Sequence, residues 1–455
     1  MSKTLKCFKA YDIRGRVGET LDAKIAYGIG RAFARVLNPG RVVLGRDIRD
    51  SSEILLDALA DGLMDEGVDV ADIGLCGTEE VYFATSHLGA GGGMMVTASH
   101  NPIGDNGVKP VGAGSRPISR SSGLAEIETM VAEDDFGPKA ATRGSRAVVE
   151  SRADYVARVL SFIDVSALKP MKILVNAGNG AAGPTFDAIA AALADTPLEF
   201  IRVNHTPDGS FPNGIPNPLL SENQSMTGDP VKSHNADIGV AWDGDFDRCF
   251  LFDETGGFID GEYIVGLLAA AMLGTAPGSK IVHDPRIMWN TQRIVAEAGG
   301  EAVVSLTGHA LIKEKMRAID AVYGGEMSAH HYFRDFMYCD TGMIPWLLIA
   351  AHMSATGQTL SALVGDMRAA HPSSGEINFR LADPQAAVDA VRGQFTDGGT
   401  VDDLDGLSCA FDKWRFNLRQ SNTEPVVRLN VESRGDIALL EEKTKAISAV
   451  LRSFA

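Results

Sequence analysis

A disulfide framework is missing from this sequence. Its five cysteines, Cys7, Cys76, Cys249, Cys339 and Cys409, are odd in number, widely scattered and without C-x-x-C spacing. That excludes a stapled secreted scaffold and a cysteine zinc site, and predicts buried thiols in a reducing compartment. Long hydrophobic runs are also lacking. The longest, "IVGLLAAAMLG", is too short to span a bilayer, and the opening "MSKTLKCFKAYDIRG" has no apolar signal core. Both point to a cytoplasmic protein with no membrane partner. Positive charge is scarce: 42 Lys and Arg stand against 59 Asp and Glu, a net charge of -17. Such a balance repels nucleic acid and anionic lipid, so a phosphorylated ligand needs a local nest of basic groups.

What is present is an ordinary globular composition, 45% hydrophobic and 22% charged, spread over 455 residues. That length exceeds one core and predicts three or four domains sharing one site. Three times the chain runs strand, polar loop, helix, strand, polar loop: "RVVLGRD" to "MMVTASHNP", "KILVNAGNG" to "DIGVAWDGDFDR", and "KIVHDPR" to "AVYGGEMSAHH". Each unit ends in a loop at the carboxyl end of a strand, the usual ligand position in a parallel α/β sheet. The polar stretch "EDDFGPKAATRGSRAVVE" marks a boundary, and from "HPSSGEINFRL" alternating strands lead into a terminal helix. The expected fold class is α/β: three related α/β domains with mixed sheets over 1–150, 151–255 and 256–367, then an α+β domain over 368–455.

Ser99 follows an apolar run and is flanked by His100, Asn101 and Pro102, with Lys109 closing the loop. A strand-end hydroxyl with a nearby cation suits a phosphorylated serine, although a turn or helix cap uses the same residue types. In "DGDFDR" Asp243, Asp245 and Asp247 are spaced by two. If the segment is extended, all three carboxylates point to one side and converge on a hard divalent cation. An EF-hand is excluded because Arg248 holds the glycine position, and an aspartyl-phosphate enzyme with Asp243 as nucleophile leaves the serine loop without a use. "GNGAAG" matches the dinucleotide pattern, but the next strand ends in Asn204 and His205 instead of an acid, so a plain tight turn is expected. "GGEMSAHH" brings Glu326, Ser328 and His330 to an extended loop that can grip adjacent sugar hydroxyls. "RQSNTEPVVR" offers Arg419, Ser421, Asn422, Thr423 and Arg428, the short donors and arginine fork that a phosphate dianion requires.

Taken together, "FKAYDIRG", "VTASHNP", "DGDFDR", "TGHALIKE", "GGEMSAHHYFRD" and "RQSNTEP" resemble, in order and nearly end to end, the bacterial phosphomannomutases of the α-D-phosphohexomutase family. The resemblance implies a central cleft between the domains. It implies that Ser99 is a phosphoserine, that Asp243, Asp245 and Asp247 hold Mg2+ with the Ser99 group, and that Glu326 and Ser328 bind sugar hydroxyls. Arg419, Ser421, Asn422 and Thr423 would bind the substrate phosphate, and Arg14, Lys109, Arg248, Arg286, His309 and His330 would line the cleft. The implied activity is an isomerase reaction, mannose 6-phosphate to mannose 1-phosphate through a hexose 1,6-bisphosphate that also serves as activator, supplying GDP-mannose synthesis. Proton transfer falls to Lys109, His100 or His330. Departures stand at Phe246 and Ala329, where many relatives have glycine, and at Arg286, where some have lysine. Met327 favours mannose or glucose phosphates over aminosugars, leaving a phosphoglucomutase or dual-specificity enzyme open. The expected partner is a phosphosugar, the expected assembly a monomer or homodimer. A non-catalytic sugar-phosphate sensor and a magnesium phosphatase also remain open.

Overall fold

The computed structural model describes residues 5–286, 288–420 and 426–455. The chain divides into two compact units. One holds the described residues up to Ile259, with Met316–Ala318 and Ser328–Leu360; the other holds Asp260–Lys315, Ile319–Met327 and the remainder from Ser361.

In the first unit a six-stranded sheet runs in the order Ile13–Arg16, Asp105–Gly112, Gly92–Val96, Arg41–Arg46, Asp69–Leu75, Arg146–Val148. Asp105–Gly112 pairs antiparallel with both Ile13–Arg16 and Gly92–Val96, and the remaining pairs are parallel, so the sheet is mixed. The inner strands are apolar along almost their whole length because both faces are covered. The helix Ala23–Leu37 starts at Asp22, whose carboxylate accepts the Ile25 N–H, and stops at Asn38 in the left-handed conformation. It crosses the helix Ser52–Asp65 through Gly30 and Gly62; a Cβ at Gly30 would lie 2.3 Å from the Leu59 carbonyl oxygen. A second sheet of the same unit orders Cys249–Phe252, Ile238–Trp242, Met171–Asn176 and Leu198–Val203, again mixed.

The second unit holds the parallel strands Glu301–Val304, Lys280–His283 and Tyr323–Gly325. It also holds a five-stranded antiparallel sheet, Ile377–Arg380, Val426–Ser433, Trp414–Gln420, Leu407–Ala410, Thr400–Asp402. Apolar residues of the helices Pro384–Phe395 and Ile437–Arg452 pack with that sheet in one core. All five cysteines are buried. Among the described residues no single helix is long and apolar enough to cross a membrane.

Candidate active site

The strand Gly92–Val96 ends just before Thr97, and two residues later Ser99 is 2% exposed with a φ of 52°. A left-handed, non-glycine residue costs about 1–2 kcal/mol and persists only where its surroundings over-determine it. Here the Ser99 N–H donates to Thr97 Oγ1 (2.8 Å), and Ser99 Oγ lies 2.5 Å from Asp243 Oδ2 and 3.0 Å from His100 Nδ1. The loop of the three aspartates abuts it directly: a Cβ at Gly244 would lie 2.6 Å from the Ser99 carbonyl oxygen. Only glycine permits that approach.

The three carboxylates do converge, with one oxygen of each within 4.8 Å of the others. The reason is different from the one the spacing predicts. Asp243–Asp247 is not extended; the Phe246 N–H closes a turn on the Asp243 carbonyl (3.2 Å), and Phe246 itself has a φ of 45°. Strand alternation is replaced by a tight turn, which aims side chains by backbone curvature. The buried Phe246 ring anchors that turn against Gly77. Ala329 is also left-handed, at φ 68°. The two departures thus fall where glycine pays no steric penalty. The expectation of an extended loop over Glu326–His330 fails for the same reason, since Met327 and Ser328 form a turn.

Each aspartate uses one oxygen within the protein. Asp243 Oδ2 accepts from the Arg248 guanidinium (2.7 and 2.9 Å) as well as from Ser99. Asp245 Oδ2 accepts from Thr78 Oγ1 (2.5 Å) and Lys109 Nζ (2.6 Å), and Asp247 Oδ2 accepts from the same ammonium (2.6 Å). The other oxygens, Asp243 Oδ1, Asp245 Oδ1 and Asp247 Oδ1, are buried and have no hydrogen-bond partner. Three orphaned carboxylate oxygens in one place are costly without a cation and fit a hard divalent ion.

The electrostatics divide the site's groups. Burial opposes the charge on Asp243, but Arg248 holds its pKa well below the usual carboxylate range. At Asp247 burial and then Asp245 push the pKa up. Burial works against the Lys109 ammonium, yet Asp245 and Asp247 outweigh it and keep the proton on. Partial burial, then Arg248, lower the pKa of His100, so its imidazole is neutral, and Arg248 donates to Nδ1.

Other candidates of the first unit gather round these groups. Arg14 donates to Asn101 Oδ1 (2.9 Å) and Asp12 Oδ2 (2.6 Å). His330 pairs its backbone with Arg248; its Nδ1 lies 2.9 Å from Asp340 Oδ2 and 3.8 Å from Asp247 Oδ1. Ser328 is half-buried in its turn. In the second unit Arg286 binds Asp284 (2.6 Å) and Glu376 (2.9 Å) and lies 3.7 Å from Glu326. Asp284 also accepts from the Met327 N–H, and Glu326 accepts from Gly308 N–H (3.0 Å), the residue before His309 at the start of the helix His309–Ile319. Arg428 lies 3.7 Å from Glu376, and Arg419 is tied to Asp405 (3.0 Å), which also accepts from the Thr307 N–H. Ser421, Asn422 and Thr423 lie outside the described residues.

Family models match along the chain: phosphoglucomutase/phosphomannomutase alpha/beta/alpha domain I over 5–138, domain II over 153–257, domain III over 260–370, and the C-terminal domain over 376–449. The chain belongs to the phosphoglucomutase/phosphomannomutase family. The resemblance read from the motifs is to this same family, and the fold of three α/β domains with a fourth at the C-terminus holds. This mutase is 59% identical to a phosphomannomutase of Salmonella montevideo over 453 residues, covering 99% of each chain. It is 56% identical to a protein described as phosphohexose mutases in Xanthomonas campestris, covering 99% of this chain and 100% of that one. A crystal structure of a phosphoglucomutase/phosphomannomutase family protein from Burkholderia thailandensis superposes with a TM-score of 0.86 at 34% identity, covering 98% of this mutase and 97% of that chain.

Several residues around the candidate site escape a reading of the sequence. Thr78, Asp340, Asp284 and Asp405 each orient a candidate residue, and none carries a local signal beyond a common residue type. "GNGAAG" is the turn expected of it, with an added part: the Ala181 N–H donates to the Gly244 carbonyl (3.0 Å), supporting the aspartate loop.

Proposed function

We infer that this chain is a phosphomannomutase, an isomerase that interconverts mannose 6-phosphate and mannose 1-phosphate. The observation that carries the chemistry is Ser99 Oγ seated 2.5 Å from Asp243 Oδ2, beside three orphaned carboxylate oxygens. A sensor has no need for that constellation.

In this reading Ser99 carries the phosphoryl group, first received from a hexose 1,6-bisphosphate activator. The Oγ–P bond breaks as a hydroxyl of the bound monophosphate forms its own P–O bond, giving a hexose 1,6-bisphosphate; reorientation and return of the other phosphate to Ser99 complete the cycle. Asp243, Asp245 and Asp247 would hold Mg2+, which when bound neutralises charge on the transferring group. Lys109, held protonated, and Arg248 stabilise the anionic phosphoryl oxygens. His100 and His330 are the remaining candidates for moving the substrate proton. Glu326 and Ser328 read sugar hydroxyls, Arg286 and His309 are further substrate-binding residues, and Arg419, Arg428 and the segment 421–423 take the non-transferring phosphate. We further propose functional domains over 1–150, 151–255, 256–367 and 368–455.

The test is a turnover assay with mannose 1-phosphate and a catalytic amount of glucose 1,6-bisphosphate. Expected are mannose 6-phosphate without free phosphate, a higher kcat/KM for mannose than for glucose 1-phosphate, and loss of turnover in Ser99→Ala. Stoichiometric release of inorganic phosphate points to a phosphatase and refutes the assignment; an equal or greater preference for glucose refutes the mannose reading.

A further inference from the structure

Arg49, 3% exposed, lies beneath the Ser99 loop without touching the three aspartates by a hydrogen bond. One of its terminal nitrogens donates to the carbonyls of Pro102 (2.9 Å) and Asp105 (3.0 Å), the other to those of Ser99 (3.0 Å) and Asn101 (2.7 Å). Four carbonyls of one loop thus converge on one guanidinium. Asp47 braces the same loop from the strand side: its carboxylate accepts from Thr97 Oγ1 (2.7 Å), Ser52 Oγ (2.5 Å) and the Arg49 N–H (3.0 Å). Thr97 Oγ1 in turn accepts the Ser99 N–H (2.8 Å). The Phe211 ring, 5.6 Å from the guanidinium carbon, closes the remaining side.

A loop that only needed to be stable has no reason to hold a serine at positive φ. Left alone, Ser99 would relax to an ordinary conformation and swing its Oγ away from Asp243. The groups that oppose this relaxation are the Thr97 hydroxyl on its N–H and the Arg49 fork on its carbonyl, both anchored by Asp47. Lysine could not replace the fork, since three donors on one tetrahedral nitrogen do not match four acceptors served by a planar group.

We propose that Arg49, Asp47 and Thr97 are positioning residues for phosphoryl transfer, which lock the Ser99 backbone so that its Oγ faces the aspartate cluster and the acceptor hydroxyl in place of water. This rests on the reading of Ser99 as the phosphoryl carrier. A loosened lock has two consequences. Transfer to the sugar slows, because a misplacement of about 1 Å can cost on the order of 100-fold. Leakage rises: water attacks phosphorus, the Oγ–P bond breaks, the water oxygen stays on phosphorus, its proton passes to the serine oxygen, and inorganic phosphate is released.

The experiment uses the full chain as wild type, Arg49→Lys and Thr97→Val. Intact mass first establishes Ser99 phosphate on the wild type; its absence there overturns both the phosphoserine reading and this inference. With it present, each variant is expected to lose roughly 10- to 100-fold in kcat with KM for mannose 1-phosphate within about twofold. Phosphate released per mutase turnover should rise at least several-fold. A purely structural role would lower the melting temperature and leave kcat per folded, phosphorylated molecule and the leakage ratio unchanged, and that result overturns the inference. Should Arg49→Lys fail to fold, Thr97→Val, which removes one hydroxyl at constant shape, decides by the same two readouts.

Discussion

The contact between Gly77 and Phe246 allows one perturbation to be worked through in numbers. Gly77 has an ordinary negative φ of -96°, so its backbone would accept alanine. Space is what forbids it: a Cβ there would lie 2.2, 2.3 and 2.6 Å from three carbons of the Phe246 ring, which is 0% exposed. Carbon atoms in contact sit about 3.5–4.0 Å apart, so the ring or the helix must move by more than about 1 Å. Overpacking of this kind costs about 1–3 kcal/mol. The upper end is expected for Gly77→Ala, because Phe246 is pinned by the turn that carries Asp245 and Asp247. Thr78, the next residue, holds Asp245 by both its N–H (3.1 Å) and its hydroxyl (2.5 Å). The cost is therefore expected in calorimetric unfolding and, separately, as weaker Mg2+ binding by titration calorimetry. Phe246→Ala alone should cost about 3–5 kcal/mol as a buried aromatic deletion. In the Gly77→Ala background it should cost less by roughly 1–3 kcal/mol, since the clash has gone. Wild-type stability and metal affinity in Gly77→Ala, or strict additivity of the pair, would refute the packing argument.

Asp245→Asn removes one charge from the cluster while keeping an acceptor for Thr78 and Lys109; Mg2+ affinity and kcat should both fall, the latter by several kcal/mol of barrier, and full activity in a strong chelator would contradict the metal assignment. Ala329→Gly relieves a left-handed alanine at about 1–2 kcal/mol against a glycine entropy cost of about 0.5–1 kcal/mol; a net gain of up to about 1.5 kcal/mol should appear as a raised melting temperature. Glu262, 3% exposed, has its pKa raised from 4.5 to about 8 by burial and then by Asp260. The folded chain therefore keeps a proton that the unfolded chain releases above 4.5, so this group's contribution is full below that pH and is lost as pH rises through about 8. Glu262→Gln should accordingly melt higher than wild type near pH 9, with the gap closing towards acid; a pH-independent difference would show that Glu262 is not the titrating group.

The residues proposed for the chemistry of this mutase can be picked out in short strings because phosphoryl transfer demands particular groups on strand-end loops. Ser99 with Lys109, three aspartates spaced by two, and the arginine and hydroxyl run after Trp414 could be read without a fold, as could the alternation of strands and helices that places them. Their geometry could not. Lys109 and Asp245 are 136 residues apart, and Thr78 and Asp245 are 167 apart, so their meeting is set by how buried sheets and helices stack, not by any local period. The aspartate loop shows the limit most plainly: spacing by two suggested an extended segment, whereas a turn through Phe246, held by its ring against Gly77, is what aims the carboxylates. Local propensity follows a few neighbouring dihedrals, while a residue is kept at positive φ only by contacts from distant segments that outweigh its strain. That is why Asp47, Arg49, Asp340 and Asp284, ordinary residues in the string, acquire their roles only once the chain has folded around them.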